Sequence, residues 1–142
     1  MTINQISIFL ENKCGKLSEV LGILAQAKIS IIAATVADTT EYGILRLIVS
    51  DPAKAYTLFK ENNVAASKTE VLAIVTDSCA GSFAKVLSYF TKAGVSVEYM
   101  YCFSWDGKSI LILRTSNTID AYGVVREHNL EYITSDELSK IL

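Results

Sequence analysis

The chain repeats itself, and that repeat restricts its folding more than any other feature. Slid by 66 residues, the separation of Gly15 from Gly81, the sequence matches itself without a gap from about Gln5 to Val64. Val20-Leu21 falls on Val86-Leu87, Ala27 on Ala93, Ile44-Leu45 on Ile110-Leu111, Ser50 on Ser116 and Ala55-Tyr56 on Ala121-Tyr122. Apolar positions that differ exchange kind for kind: Leu17 with Phe83, Leu24 with Phe90, and Ile29-Ser30-Ile31 with Val95-Ser96-Val97. A duplicated segment must fold twice to one plan, so each copy is read with the other as its control.

Each copy opens on an apolar, partly alternating run suited to a strand, Gln5–Leu10 and Val71–Thr76. A glycine follows. Leu17, Val20, Leu21 and Leu24, or Phe83, Val86, Leu87 and Phe90, then place one apolar stripe on an amphipathic helix. Ile29–Ala37 and Val95–Ser104 are rich in β-branched and aromatic residues and are expected as strands. Asp106-Gly107 predicts a tight hairpin before the strand Ser109–Thr115, where copy one has the longer Asp38-Thr39-Thr40-Glu41 before Tyr42–Val49. Asp51-Pro52 and Asn117 are capping signals for a second helix, and short strands at Val64–Ser67 and Leu130–Thr134 are expected to close the copies. The order β-α-β-β-α-β gives an α+β, ferredoxin-like unit: an antiparallel sheet with both helices on one face. On its other face Ile44, Arg46 and Ile48, with Ile110, Ile112 and Arg114, are too apolar for water. That side is expected to be covered by the other copy or by a second chain, with Arg46 or Arg114 pairing an acid such as Glu98 across the contact.

Composition narrows the function. The 13 basic and 15 acidic residues show no basic excess, which argues against a nucleic-acid partner. The aromatic run Tyr99, Tyr101, Phe103 and Trp105 is therefore expected to line a core or a pocket rather than to stack bases. No signal peptide and no membrane-spanning run is visible, and Cys14, Cys79 and Cys102 form no paired motif, so a cytoplasmic protein without metal or cofactor is expected. His128 falls at a helix end, where the helix dipole accounts for it, and no catalytic set is supported by spacing; the chain is not expected to be an enzyme.

The glycine joining strand to helix is the most informative position. Copy one reads Glu11-Asn12-Lys13-Cys14-Gly15-Lys16-Leu17 and copy two Asp77-Ser78-Cys79-Ala80-Gly81-Ser82-Phe83. A sharp turn there leaves the first N–H groups of the helix pointing outwards, where they attract anions such as a ligand carboxylate. The alternative is that glycine only permits the turn and the polar residues cap the helix.

Glu11-Asn12-x-x-Gly15-x-Leu17, followed by a helix and then Ile29-Ser30-Ile31, resembles the ACT domain, a regulatory amino-acid-binding module. Copy one is similar to the ACT module of phosphoglycerate dehydrogenases, and the whole chain to free-standing tandem-ACT proteins. The resemblance implies two ACT-like domains, 1–68 and 69–142, that grip a free amino acid between paired domains. The loop residues Asn12, Lys13, Cys14, Gly15, Lys16 and Leu17 would form the site with Ser30 and Ile31 at the start of the second strand. Ser78, Ala80, Gly81, Ser82, Phe83 and Ser96 are their copy-two counterparts. Cys14 and Ala80 stand where the family usually has proline, and Ser78 replaces Asn12, so copy one is the better candidate and copy two a degenerate or retuned one. A homodimer and a regulated protein partner follow from the same resemblance. The other reading left open is a structural or protein-interaction module without a small-molecule ligand.

Overall fold

The computed structural model describes residues 1–39 and 41–141. Thr40, within the expected Asp38–Glu41 loop, and Leu142 lie outside the described residues. The chain divides into two compact units, one of Asn4–Thr69 with Leu138–Leu142 and the other of Met1–Ile3 with Glu70–Glu137.

In the first unit β1 (Ile3–Glu11), β2 (Ile31–Asp38) and β3 (Tyr42–Val49) form an antiparallel sheet with β3 in the middle. The Phe9 N–H donates to the Ala65 carbonyl at 3.0 Å, which brings the chain before β4 against β1. Alternation sorts the side chains: Ile6, Ile8 and Leu10 join Leu45, Leu47 and Val49 on the face that carries α1 (Lys16–Gln26) and α2 (Pro52–Glu61). Val20 and Leu24 of α1 and Ala55 and Phe59 of α2 complete that core.

The second unit repeats this plan with β4 (Ala66–Thr76), β5 (Val97–Trp105) and β6 (Lys108–Thr115), where β6 lies between its neighbours. Asp106 and Gly107 adopt φ 51° and 74°, the left-handed pair that a two-residue hairpin requires. Leu72, Ile74, Leu111 and Leu113 pack with Val86 and Phe90 of α3 (Ser82–Lys92) and Val124 and Val125 of α4 (Thr118–Glu127). Both second helices are capped as their sequences imply: Asp51 Oδ1 accepts from the Lys54 N–H and Asn117 Oδ1 from the Asp120 N–H, each at 3.1 Å. Replacing either cap by alanine is expected to cost about 1 kcal/mol, read as a lower urea midpoint at constant slope.

Three expectations are corrected. Val64–Ser67 and Val71–Thr76 are not separate strands; β4 runs through from Ala66 to Thr76. Lys68-Thr69-Glu70 between them holds no glycine or proline to turn the chain, so the extended backbone continues. Leu130–Thr134 forms only an isolated bridge, Tyr132 to Ile74, flanked by hydrogen bonds Val75 N–H to Glu131 O and Ile133 N–H to Ala73 O. It stops there because Thr134 and Glu137 make a reciprocal capping box that opens a short helix, α5 (Ser135–Ser139). Glu98 pairs with Arg114 inside the second unit, at 3.5 Å, rather than across a contact between sheets. A register shift between Val97 and Tyr99 sets Glu98 beside Arg114, whose guanidinium also donates to the Glu70 carbonyl at 2.9 Å. On the helix-free faces Ile48, Ile110 and Ile112 are fully buried, whereas Ile44, Arg46 and Arg114 are half-buried.

Candidate functional site

The two glycine loops start from the same backbone and end with different chemistry. Gly15 and Gly81 take φ 87° and 86° as the residues preceding α1 and α3. A Cβ added at either would touch nothing within 4 Å, so glycine is needed there for its conformation and not for space. Neither supplies a side-chain cap to its helix. The Lys16 N–H turns back to the Lys13 carbonyl at 3.3 Å, and the Ser82 N–H to Cys79 at 3.1 Å.

In the first loop the acid nearest the helix start is drawn aside. Glu11 forms an ion pair with Lys13 at 2.9 Å, and the hydrogen bond and charge of Lys13 hold its carboxyl below the usual carboxylate range while raising the lysine. Beside this pair lies a recess of about 140 Å3 lined by Leu10, Glu11, Asn12, Lys13, Leu17, Val36, Asp38 and Gly43. Its lining combines both signs of charge, Lys13 with Glu11 and Asp38, with the aliphatic side chains of Leu10, Leu17 and Val36. Leu17, in the first turn of α1, is among the lining residues.

In the second loop the corresponding acid stays on the helix. Asp77 Oδ1 accepts hydrogen bonds from the Ser82 hydroxyl, at the first position of α3, and from the Cys79 N–H. These bonds, led by Ser82, lower the Asp77 pKa. Ser78 and Ser109 share a hydrogen bond at 2.9 Å, with Ser109 buried. Because Asp77 is depressed, its contribution to stability is in place above its unfolded pKa and is lost as pH falls through the lower folded value. An NMR titration is expected to place the Asp77 midpoint below that of an ordinary aspartate. Ser82→Ala should move it back up, and an unchanged midpoint would contradict the assignment.

Of the residues expected at the site, Asn12, Lys13 and Leu17 line the recess, and Cys14, Gly15 and Lys16 build the turn next to it. Ser30 and Ile31 are not brought there. The recess adjoins the far end of β2, at Val36 and Asp38, roughly 17 and 23 Å along the strand from Ile31 at about 3.3 Å per residue. Ser30 instead docks on Ser50: its N–H donates to the Ser50 hydroxyl at 3.0 Å, and its carbonyl accepts from the Ser50 N–H at 2.9 Å. Ser96 and Ser116 repeat that arrangement. Ala80, Gly81, Ser82 and Phe83 lie in the second loop and the first turn of α3. Sequence reasoning missed Val36, Asp38 and Gly43. The one available signal was Gly43 itself, a glycine inside a strand with no turn to make.

Other features are elsewhere. A larger hollow of about 450 Å3, lined in part by Ser7, Phe9, Ile44, Lys60 and Ser67, carries a cation and no acid among its lining residues. The His128 ring stacks on Tyr89 with centroids 3.8 Å apart. Tyr99, Tyr101 and Phe103 are half-buried and Trp105 is exposed, and none of them belongs to the helix-packed core of the second unit, which corrects the core expectation for this run. Cys14, Cys79 and Cys102 are free and exposed. Among the described residues no helix is long and apolar enough to cross a membrane, and no three potential ligands cluster as a metal site.

A family model described as the ACT domain pair matches residues 1–142. The chain belongs to that family, a regulatory module. It is similar in structure to protein BT0572 from Bacteroides thetaiotaomicron, at 39% identity and a TM-score of 0.93 over 99% of this chain and 97% of that one. It also shares its fold with the ligand-free regulatory subunit of aspartate kinase from Thermus thermophilus, at 15% identity and a TM-score of 0.64 over 89% and 90% of the two chains. Escherichia coli aspartokinase III in complex with lysine and aspartate is a third, with 20% identity, a TM-score of 0.54 and coverage of 91% and 31%. No curated protein matches the chain significantly.

Proposed function

We propose that this protein is a non-catalytic amino-acid sensor of the cytoplasm, with ACT-like domains over residues 1–68 and 69–142. The observation that carries the reading is the contrast between the loops: a recess with both signs of charge adjoins the first, whereas in the second the Asp77 carboxylate is engaged by the Ser82 hydroxyl and the Cys79 N–H. An amino acid presents one carboxylate and one ammonium a few ångströms apart. The first-turn N–H groups of α1 and Lys13 suit the former, and Asp38 and Glu11 the latter. Asn12, Cys14, Gly15 and Lys16 shape the turn that presents those groups.

The same reading gives Ser30 and Ile31 their place. β2 is an edge strand, with Ile31 and Val36 38% and 49% exposed. Antiparallel pairing of β2 with its counterpart in a second copy sets Ser30 and Ile31 of the partner subunit beside Val36 and Asp38, so a homodimer completes the site. Ligand that binds the paired form better than the separate one shifts that equilibrium, and the shift is what a regulated protein partner reads.

A thermal-stability screen against the twenty amino acids tests this. One or a few are expected to stabilise the protein, by about 2.7 kcal/mol at a hundredfold excess over Kd. A flat response to all twenty would contradict the sensor. It would favour a protein-interaction module, the reading supported by the tilted aromatic pair Phe9 and Tyr42, which are 53% and 43% exposed with centroids 4.8 Å apart.

A further inference from the structure

Gly43 is a glycine without a conformational reason. It sits inside β3, paired with Leu10 and Asp38, and its φ is not left-handed. A Cβ there would meet Val36 Cγ1 at 3.7 Å, the Ala37 carbonyl at 3.8 Å and Asp38 Cβ at 4.0 Å, all ordinary contacts. Neither backbone nor crowding therefore demands glycine, and a strand interior ordinarily loses stability by having one. What the missing side chain does is leave open the recess between β2, β3 and the first turn of α1.

The second unit carries different residues at the equivalent positions. At the position equivalent to Gly43 stands Ser109, buried and hydrogen-bonded to Ser78. Phe83 replaces Leu17, a larger side chain, and Ser104 replaces the acid Asp38. The same scaffold thus places Leu17, Asp38 and Gly43 around the recess of the first unit and Phe83, Ser104 and Ser109 at the corresponding positions of the second.

We propose that the recess is the side-chain pocket of the amino-acid site, that it selects an aliphatic amino acid of the size of valine or leucine, and that Gly43 sets this limit. The inference rests on the sensor reading and adds the ligand class. At about 140 Å3 the space holds roughly four or five heavy atoms at ~30 Å3 each. Leu10, Leu17 and Val36 offer it aliphatic surface, which rewards buried methyl groups. Glu11, Lys13 and Asp38 supply the charges that the ligand's backbone needs.

Calorimetric titration of the intact protein with glycine, alanine, valine, leucine, phenylalanine, aspartate and lysine tests the proposal. Affinity is expected to rise from glycine to valine and to fall by roughly 10- to 200-fold at phenylalanine. Gly43→Ser, which copies the second unit, should weaken valine by a similar factor and leave glycine unchanged. Val36→Ala, a truncation at a half-exposed position, should move the optimum towards larger side chains and reduce the penalty on phenylalanine, and it stands as an independent test should Gly43→Ser fold poorly. Tightest binding of phenylalanine, aspartate or lysine, or valine binding indifferent to both substitutions, would overturn the pocket while leaving the sensor intact. Absence of binding by any amino acid would overturn both.

Discussion

Phe59→Ala is expected to lower the free energy of unfolding by about 3–5 kcal/mol. Phe59 has no exposed surface and lies one turn beyond Ala55 on the buried stripe of α2. It belongs to the cluster in which β1 and β3 present Ile6, Ile8, Leu45 and Leu47 to the helices. Those neighbours are held by a hydrogen-bonded ladder, so they relax only partly into the vacated space, and the cavity adds to the lost transfer energy. For a domain whose whole stability is about 5–15 kcal/mol, that is a large fraction. Thr57→Ala, at an exposed position on the same helix, supplies the control and should stay within about 0.5 kcal/mol. Urea unfolding measures both. A loss below about 1 kcal/mol for Phe59→Ala would mean that α2 is not seated on this sheet as described.

The second large effect is conformational. Gly15→Val is expected to destabilise by roughly 1–3 kcal/mol, because a β-branched residue is forced to a left-handed backbone. The open space around an added Cβ makes the experiment clean, since no clash contributes. Gly81→Val should behave alike, as φ there differs by only one degree. If either substitution left stability unchanged, the turn would have an alternative conformation, and the presentation of the α1 N–H groups would not be fixed by the fold.

How far the sequence can be read depends on which physical signal a feature leaves. Period-two and helical alternation come from burial of one face, and burial decides the core; Leu45, Leu47 and Val49 on one side of β3 were legible for that reason. The helix caps Asp51 and Asn117 were legible because a cap is local chemistry, a side-chain oxygen three residues before the N–H it serves. The fusion of two expected strands into β4 was harder, since the boundary of a duplicated unit need not interrupt an extended chain. The capping box Thr134–Glu137 was present in the sequence, but it competes with a β-rich stretch, and only the backbone shows which won.

The candidate site was legible by halves. The loop Asn12–Leu17 announces itself by its glycine, yet Val36, Asp38 and Gly43 reach it only through strand register, which a one-residue slip would have changed. Ser30 and Ile31, adjacent to the loop in a family pattern, are separated from it within one copy by the length of β2. The asymmetry of the loops is likewise a matter of side-chain geometry. Glu11 and Asp77 are equivalent acids, and whether each leans on a lysine or on the helix start depends on Lys13 against Cys79 and Lys16 against Ser82.

In the proposed sensor the ligand carboxylate meets the helix start at Gly15 and not the one at Gly81, beside which Asp77 already lies. Backbone amide NMR of the labelled protein, titrated with the amino acid that stabilises it most, addresses this at the atoms concerned. The N–H signals of Gly15, Leu17 and Ser18 are expected to shift and saturate, with those of Gly81, Phe83 and Ala84 left in place. Saturable shifts confined to the α3 start, or absent from both, would contradict it.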